Sequence, residues 1–180
     1  HYAASDSRFS ECPAPIIASN LAKGRKADSS WSYDMEISDF ASDDNFKTAW
    51  VANALGPEHP HLKIFLDKEQ QFNMIALTEE VGSEILGYRL DARVNGLWHE
   101  LMTVNADVSS AYANAGSLLS GPVSAKKSDR VTVLRFGVTY ADAIRLTVLS
   151  SRKTSAPDGV YESGSTVAIS ELGIYNERPR

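Results

Sequence analysis

Short runs rich in β-branched and aromatic residues recur along the chain, each closed by turn residues, and this rhythm restricts the fold more than any other feature. The runs are His61–Leu66, Asn73–Thr78, Ile85–Val94, Trp98–Val104, Val131–Phe136, Ala143–Leu149 and Val167–Tyr175. Alternating or apolar stretches of this length read as strands. Asn95 and Gly96 stand between Arg89–Val94 and Leu97–Leu101. That dipeptide accepts the positive φ angles of a type I′ turn, so the flanking strands should pair antiparallel. Ser109–Leu119 is the one helix candidate, with weak periodicity. Turns rather than crossover helices join the runs, which favours an all-β antiparallel sandwich over a parallel α/β sheet.

Residues His1–Pro15 mix Ser, Asp and Ala with two prolines and have no period, so 1–15 reads as an arm or linker and 16–180 as one domain. Two stretches read as surface insertions: Asn105–Asp129, rich in Ala, Ser and Gly, and Lys153–Thr166, rich in Ser, Gly and charge. At 180 residues and 43% apolar, the chain can bury a sizeable core. Its longest apolar runs are far short of the ~20 residues of a spanning helix. The net charge of -5, with basic residues scattered, offers no footprint for nucleic acid and makes a membrane an unlikely partner. The single Cys12 cannot form an internal disulfide. No secretory n- and h-regions open the sequence, so location has to be inferred from function.

No nucleophile elbow, metalloprotease helix, phosphate loop or dinucleotide fingerprint is present, and nothing pairs two carboxylates as glycoside hydrolysis requires. A non-catalytic role follows as the expectation. His59 and His61 flank Pro60 and place two imidazoles at i and i+2, which suits one transition metal only if a third ligand joins them. An exposed loop explains them equally well. The segment Ala41-Ser42-Asp43-Asp44-Asn45-Phe46-Lys47-Thr48-Ala49-Trp50 concentrates carboxylate, amide and hydroxyl oxygens of the kind calcium takes, without the spacing of an EF-hand. A solvated polar turn has the same composition.

Asn20-Leu21-Ala22, Ser29-Ser30, Asp43 to Trp50, Gly96-Leu97-Trp98-His99-Glu100 and Ile169 to Tyr175 stand in an order that resembles the coagulation-factor type C, discoidin-like domains. Within them, the chain is most similar to the family 32 carbohydrate-binding modules. Phe72 to Glu80, Gly87 to Leu90 and Val131 to Leu146 resemble the C-terminal β-domains of bacterial α-L-fucosidases. The resemblance spans Ile16 to Asn176. It implies an eight-stranded jelly-roll sandwich of the galactose-binding-domain type and a structural calcium held by Asp43, Asn45, Thr48 and Glu171. Gly is usual where Asp44 stands. Trp50 and Trp98 fall at core or core-edge positions.

The resemblance also implies sugar binding on loops at one rim. A flat ring covers the C–H face of a pyranose while neighbouring side chains bond its hydroxyls. Trp31 and Tyr33 lie in the first long loop, and Arg152 and Tyr161 in or beside the last insertion. The galactose-binding pattern of an Arg and a following Asn is replaced by Thr78-Glu79-Glu80-Val81-Gly82-Ser83, so Glu79, Glu80 and His59 become the hydrogen-bonding candidates. The implied protein is a monomeric, secreted, cell-surface or periplasmic module. It would carry an attached glycoside hydrolase to galactose-, N-acetylhexosamine- or fucose-containing glycans. A structural accessory domain without a ligand, or a protein- or lipid-surface adhesion domain, would share the fold. Lipid binding needs basic neighbours around apolar loop spikes, and Trp31–Glu36 has acidic ones.

Overall fold

The computed structural model describes residues 18–30, 32, 37–53, 59–80, 83–153 and 166–178, and the candidate arm 1–15 lies outside these. Nine strands follow in order: β1 (Ala27–Ser29), β2 (Trp50–Asn53), β3 (His61–Glu79), β4 (Ser83–Val94), β5 (Leu97–Asn105), β6 (Tyr112–Ala115), β7 (Ser124–Ser128), β8 (Val131–Lys153) and β9 (Thr166–Tyr175). The only helical element among the described residues is a 3₁₀ turn at Ser38–Ala41. Every strand pairing is antiparallel, and the path runs β2-β9-β3-β8-β4-β5-β6, with β1 on β3 and β7 on β8. The fold is an all-β sandwich, with nine strands among the described residues.

β3 and β8 each serve both layers. The last half of β3 pairs with β9 through Met74–Glu79, whereas its first half pairs with β1 through Leu62–Ile64. β8 likewise meets β7 through Val131–Arg135 and β4 through Ala143–Lys153. Register shifts at Phe65/Gln70 and Phe72/Met74 mark the bend, and Asp67 takes φ 75 there. Alternation then decides what is buried. Leu62, Ile64, Tyr88, Leu90, Ile144 and Leu146 face Ile75, Leu77, Leu134, Leu172 and Trp50 in one continuous core. Phe72 and Phe136 meet edge to face, with centroids 5.9 Å apart.

Asn95 and Gly96 adopt φ 52 and 78 and join β4 to β5 with Val94 opposite Leu97, the expected two-residue hairpin. Ser109–Leu119 is not helical. It contains β6, whose residues Tyr112–Ala115 pair with Met102–Asn105. The stretch Asn105–Asp129 is therefore not simply a surface loop, because it supplies two strands that cover the sheet edges.

Candidate functional site

One end of the sandwich gathers the strand termini nearest the candidate sugar contacts. Ser30 N–H donates to His61 O (3.0 Å), and Ser32 bridges Ala52. Glu80 N–H donates to Ala168 O (3.0 Å), and Val148 N–H to Pro60 O (2.8 Å). Glu84 lies opposite Arg152, and Ala106 N–H reaches Leu86 O (2.7 Å). His59 at this rim is exposed and Glu80 half-buried. Trp31, Tyr33 and Tyr161 lie outside the described residues.

Arg152 is exposed, yet fixed. Its Nε and Nη2 both donate to Glu84 Oε2. Glu84 Oε1 in turn accepts from Lys127 Nζ at 3.1 Å. Burial pushes the Glu84 carboxyl up, but the bonds from Arg152 and Lys127 outweigh it and leave it below its ordinary range. Asp107 stands in the field of Arg152, and the Ser109 amide and hydroxyl hold it below the usual carboxylate range. The rim thus presents a guanidinium whose orientation is set by partners beneath it and an acceptor beside it, a pattern that can bond vicinal hydroxyls.

Glu79, the other expected acceptor, does not reach this surface. Alternation along β3 turns it inward with Ile75 and Leu77, and it is only 2% exposed. Its Oε1 accepts from Ile85 N–H at 2.7 Å, and its Oε2 lies 3.3 Å from Lys127 Nζ. Glu80, one residue past the end of β3, is half-buried and remains the acceptor candidate at the rim. Asp107, Glu84 and Lys127 were not picked out from the sequence.

The second cluster lies on the flank where Asp43–Thr48 meets β9. Thr48 Oγ1 donates to Asp43 Oδ2 (2.5 Å), and Asn45 N–H donates to Asp43 Oδ1 (2.9 Å). Lys47 N–H donates to Asn45 Oδ1 (3.0 Å). Asp44 sits at φ 58, the left-handed conformation for which the resembling domains use Gly, and its N–H donates to Glu171 Oε2 (3.1 Å). Asn20 Nδ2 donates to Glu171 Oε1 (3.3 Å), while its Oδ1 accepts from Ala22 and Ile174 N–H groups. Asn20 thus joins the cluster, although it carried no assigned role in the sequence.

Glu171 is 1% exposed, and burial, followed by the charges of Asp44 and Asp43, pushes its carboxyl up to about 8. No three His, Cys, Asp or Glu side chains among the described residues converge as a metal set. A cation here would need the mixed hard oxygens of Asp43, Asn45, Thr48 and Glu171. This donor chemistry suits calcium, and the crowding of negative charge around a buried carboxyl is what a cation would relieve.

Trp50 is fully buried in the core. Trp98 instead lies half-buried on the outer face of the sheet, with the Arg145 guanidinium 4.6 Å and that of Arg93 5.9 Å from its ring centroid. Cations occupy the space a sugar would need over it. Of the two imidazoles, His59 is exposed and His61 opens β3 half-buried, and no third ligand joins them among the described residues.

The fold is similar to the discoidin-like β-sandwich of solved family 32 carbohydrate-binding modules. A family 32 module from C. perfringens NanJ, solved in complex with galactose, is 19% identical, with 88% of this chain and 98% of that one covered at a TM-score of 0.61. Chitosan-binding module 2 from a Paenibacillus sp. IK-5 chitosanase/glucanase, in complex with chitotriose, is 16% identical, covering 87% and 100% at 0.62. A Ruminococcus gnavus GH29 fucosidase in complex with fucose is 22% identical over 89% of this chain at 0.59, but the chain spans only 27% of that enzyme's length. It likewise spans 28% of SpGH29. No protein-family model matches the chain, and no curated protein does.

Proposed function

We propose that this domain is a non-catalytic carbohydrate-binding module that holds an attached glycoside hydrolase on glycans outside the cell. What supports this reading is the linkage, at one end of the sandwich, of the strand termini next to His59, Glu80 and Arg152. Modules of the same fold solved with galactose or chitotriose support it. The GH29 enzymes, in which the match covers about a quarter of the chain, support attachment to a hydrolase. Trp31 and Tyr33 stack on the sugar, and His59, Glu80, Arg152 and Tyr161 bond its hydroxyls. A shallow site of this kind binds on the order of 0.1 to 1 mM, so retention depends on tethering. Calorimetric titration against galactose, N-acetylhexosamines, fucosylated oligosaccharides and chitotriose tests the reading. Binding to at least one is expected, and silence from folded protein across the panel would overturn it.

The reading includes a structural calcium at Asp43, Asn45, Thr48 and Glu171. When bound, the ion ties the first loop to the last strand and does no chemistry on the ligand. Calcium at a hundredfold over its dissociation constant should add about 2.7 kcal/mol of stability, raising the melting temperature by roughly 5 to 10 °C. Glu171→Ala should abolish that calcium-dependent rise in a differential scanning experiment. An equal rise in the variant and the parent would place the ion elsewhere.

A further inference from the structure

Behind the rim, a group of polar side chains closes one end of the apolar core. Glu79 faces inward from β3, and Thr132 faces inward from β8 with Leu134. Lys127 on β7 pairs with Thr132, and its side chain is 1% exposed. Tyr88 reaches them from β4 in the opposite layer and is itself fully buried. The Ile85 N–H bond to Glu79 makes a second link between the layers. Burial, then the Glu79 charge, hold the Tyr88 phenol above its ordinary range, and the Thr132 hydroxyl lies near enough to oppose them.

Despite this closeness, Tyr88 Oη and Thr132 Oγ1 have no partner in hydrogen-bond geometry, and Glu79 Oε2 has only its 3.3 Å ion pair with Lys127 Nζ. A buried polar atom left without a partner destabilises the fold, because it has given up its bonds to water for nothing. Protein interiors resolve such groups with an ordered water that makes two to four hydrogen bonds. The inventory here fits one. Tyr88 O–H can donate to the water oxygen, and the two water protons can go to Glu79 Oε2 and Thr132 Oγ1. Lys127 directs itself at Glu79 and Glu84 and keeps a third N–H that can also donate to the water. A cation is disfavoured in the same place, because the Lys127 ammonium already stands there.

We propose that Tyr88, Thr132 and Glu79 form a built site for one internal water, which links the two layers of the sandwich directly beneath the rim. The site does not depend on any sugar or on calcium. A crystal structure of the full chain at a resolution that shows ordered solvent tests it. The expected result is one density peak within hydrogen-bond distance of Tyr88 Oη, Thr132 Oγ1 and Glu79 Oε2. Water–amide Overhauser spectra should then show a long-lived water next to the Ile85 amide. Thr132→Val, close to isosteric, should remove or displace that water with the strands unchanged, and Tyr88→Phe should do the same. Direct contact of Tyr88 Oη with Thr132 or Glu79 and no density between them would overturn the inference, as would an Ile85 amide with only short-lived surface hydration.

Discussion

Lys127→Met will unfold the domain at a melting temperature roughly 10 °C below that of the parent, a loss of about 3–5 kcal/mol. The size follows from what the substitution leaves behind. Glu79 is 2% exposed, burial pushes its carboxyl up, and the Lys127 charge is the largest force opposing that shift. Glu84 keeps Arg152 when the ammonium goes, so the loss falls on Glu79 and on the β3–β4 connection that Glu79 fastens through Ile85. Adding Glu79→Gln should recover a good part of the loss, since a neutral amide can still accept from Ile85 without an unpaired charge. Thermal unfolding followed by circular dichroism measures both. A single variant as stable as the parent would show that the pair is a bystander.

Trp50→Ala should cost about 3–5 kcal/mol. The indole is fully buried in the main core, and its strand residue pairs with Ile169 at the sheet edge. Two residues upstream, Thr48 closes the Asp43 loop, so a collapse around the vacated volume would also loosen that loop. Urea denaturation should show a lower midpoint with an unchanged slope. A loss under 1 kcal/mol would mean that the ring is not the packing centre of this edge.

The parts of the fold legible in the sequence are those where alternation is strict. Leu62-Lys63-Ile64-Phe65-Leu66 buries every second residue, Tyr88-Arg89-Leu90 does the same up to the register shift at Leu90/Asp91, where Asp91 is buried too, and Asn95-Gly96 is the turn its chemistry requires. β6 and β7 were hidden because Tyr-Ala-Asn-Ala and Ser-Ala-Lys-Lys-Ser carry almost no strand propensity; their neighbours β5 and β8 impose the conformation. The bends that carry β3 and β8 between layers were read as strand ends, since a bulge looks like a break in the pattern. At the sites, the spacing of Asp43, Asn45 and Thr48 was enough to draw attention to that loop. The partnership of Glu171 with Asn20 and the Asp44 amide depends on contacts across nearly the whole chain, which no local pattern encodes. Glu79 was misjudged for a similar reason: its inward direction follows from the register of β3, and its partner Lys127 lies in a strand the sequence concealed.

Under the proposed function, glycan contacts the end of the sandwich bearing His59, Glu80 and Arg152, and neither the Arg145–Trp98 face nor the Asp43–Thr48 loop. Amide chemical-shift mapping during titration with galactose, chitotriose and fucosylated oligosaccharides addresses it most directly, with Trp31→Ala run in parallel. The account predicts shifts concentrated at His59, Glu80, Asp107 and Arg152 and their abolition in Trp31→Ala at an unchanged melting temperature. Shifts centred on Arg93, Trp98 and Arg145, or a Trp31→Ala domain that still binds, would contradict it.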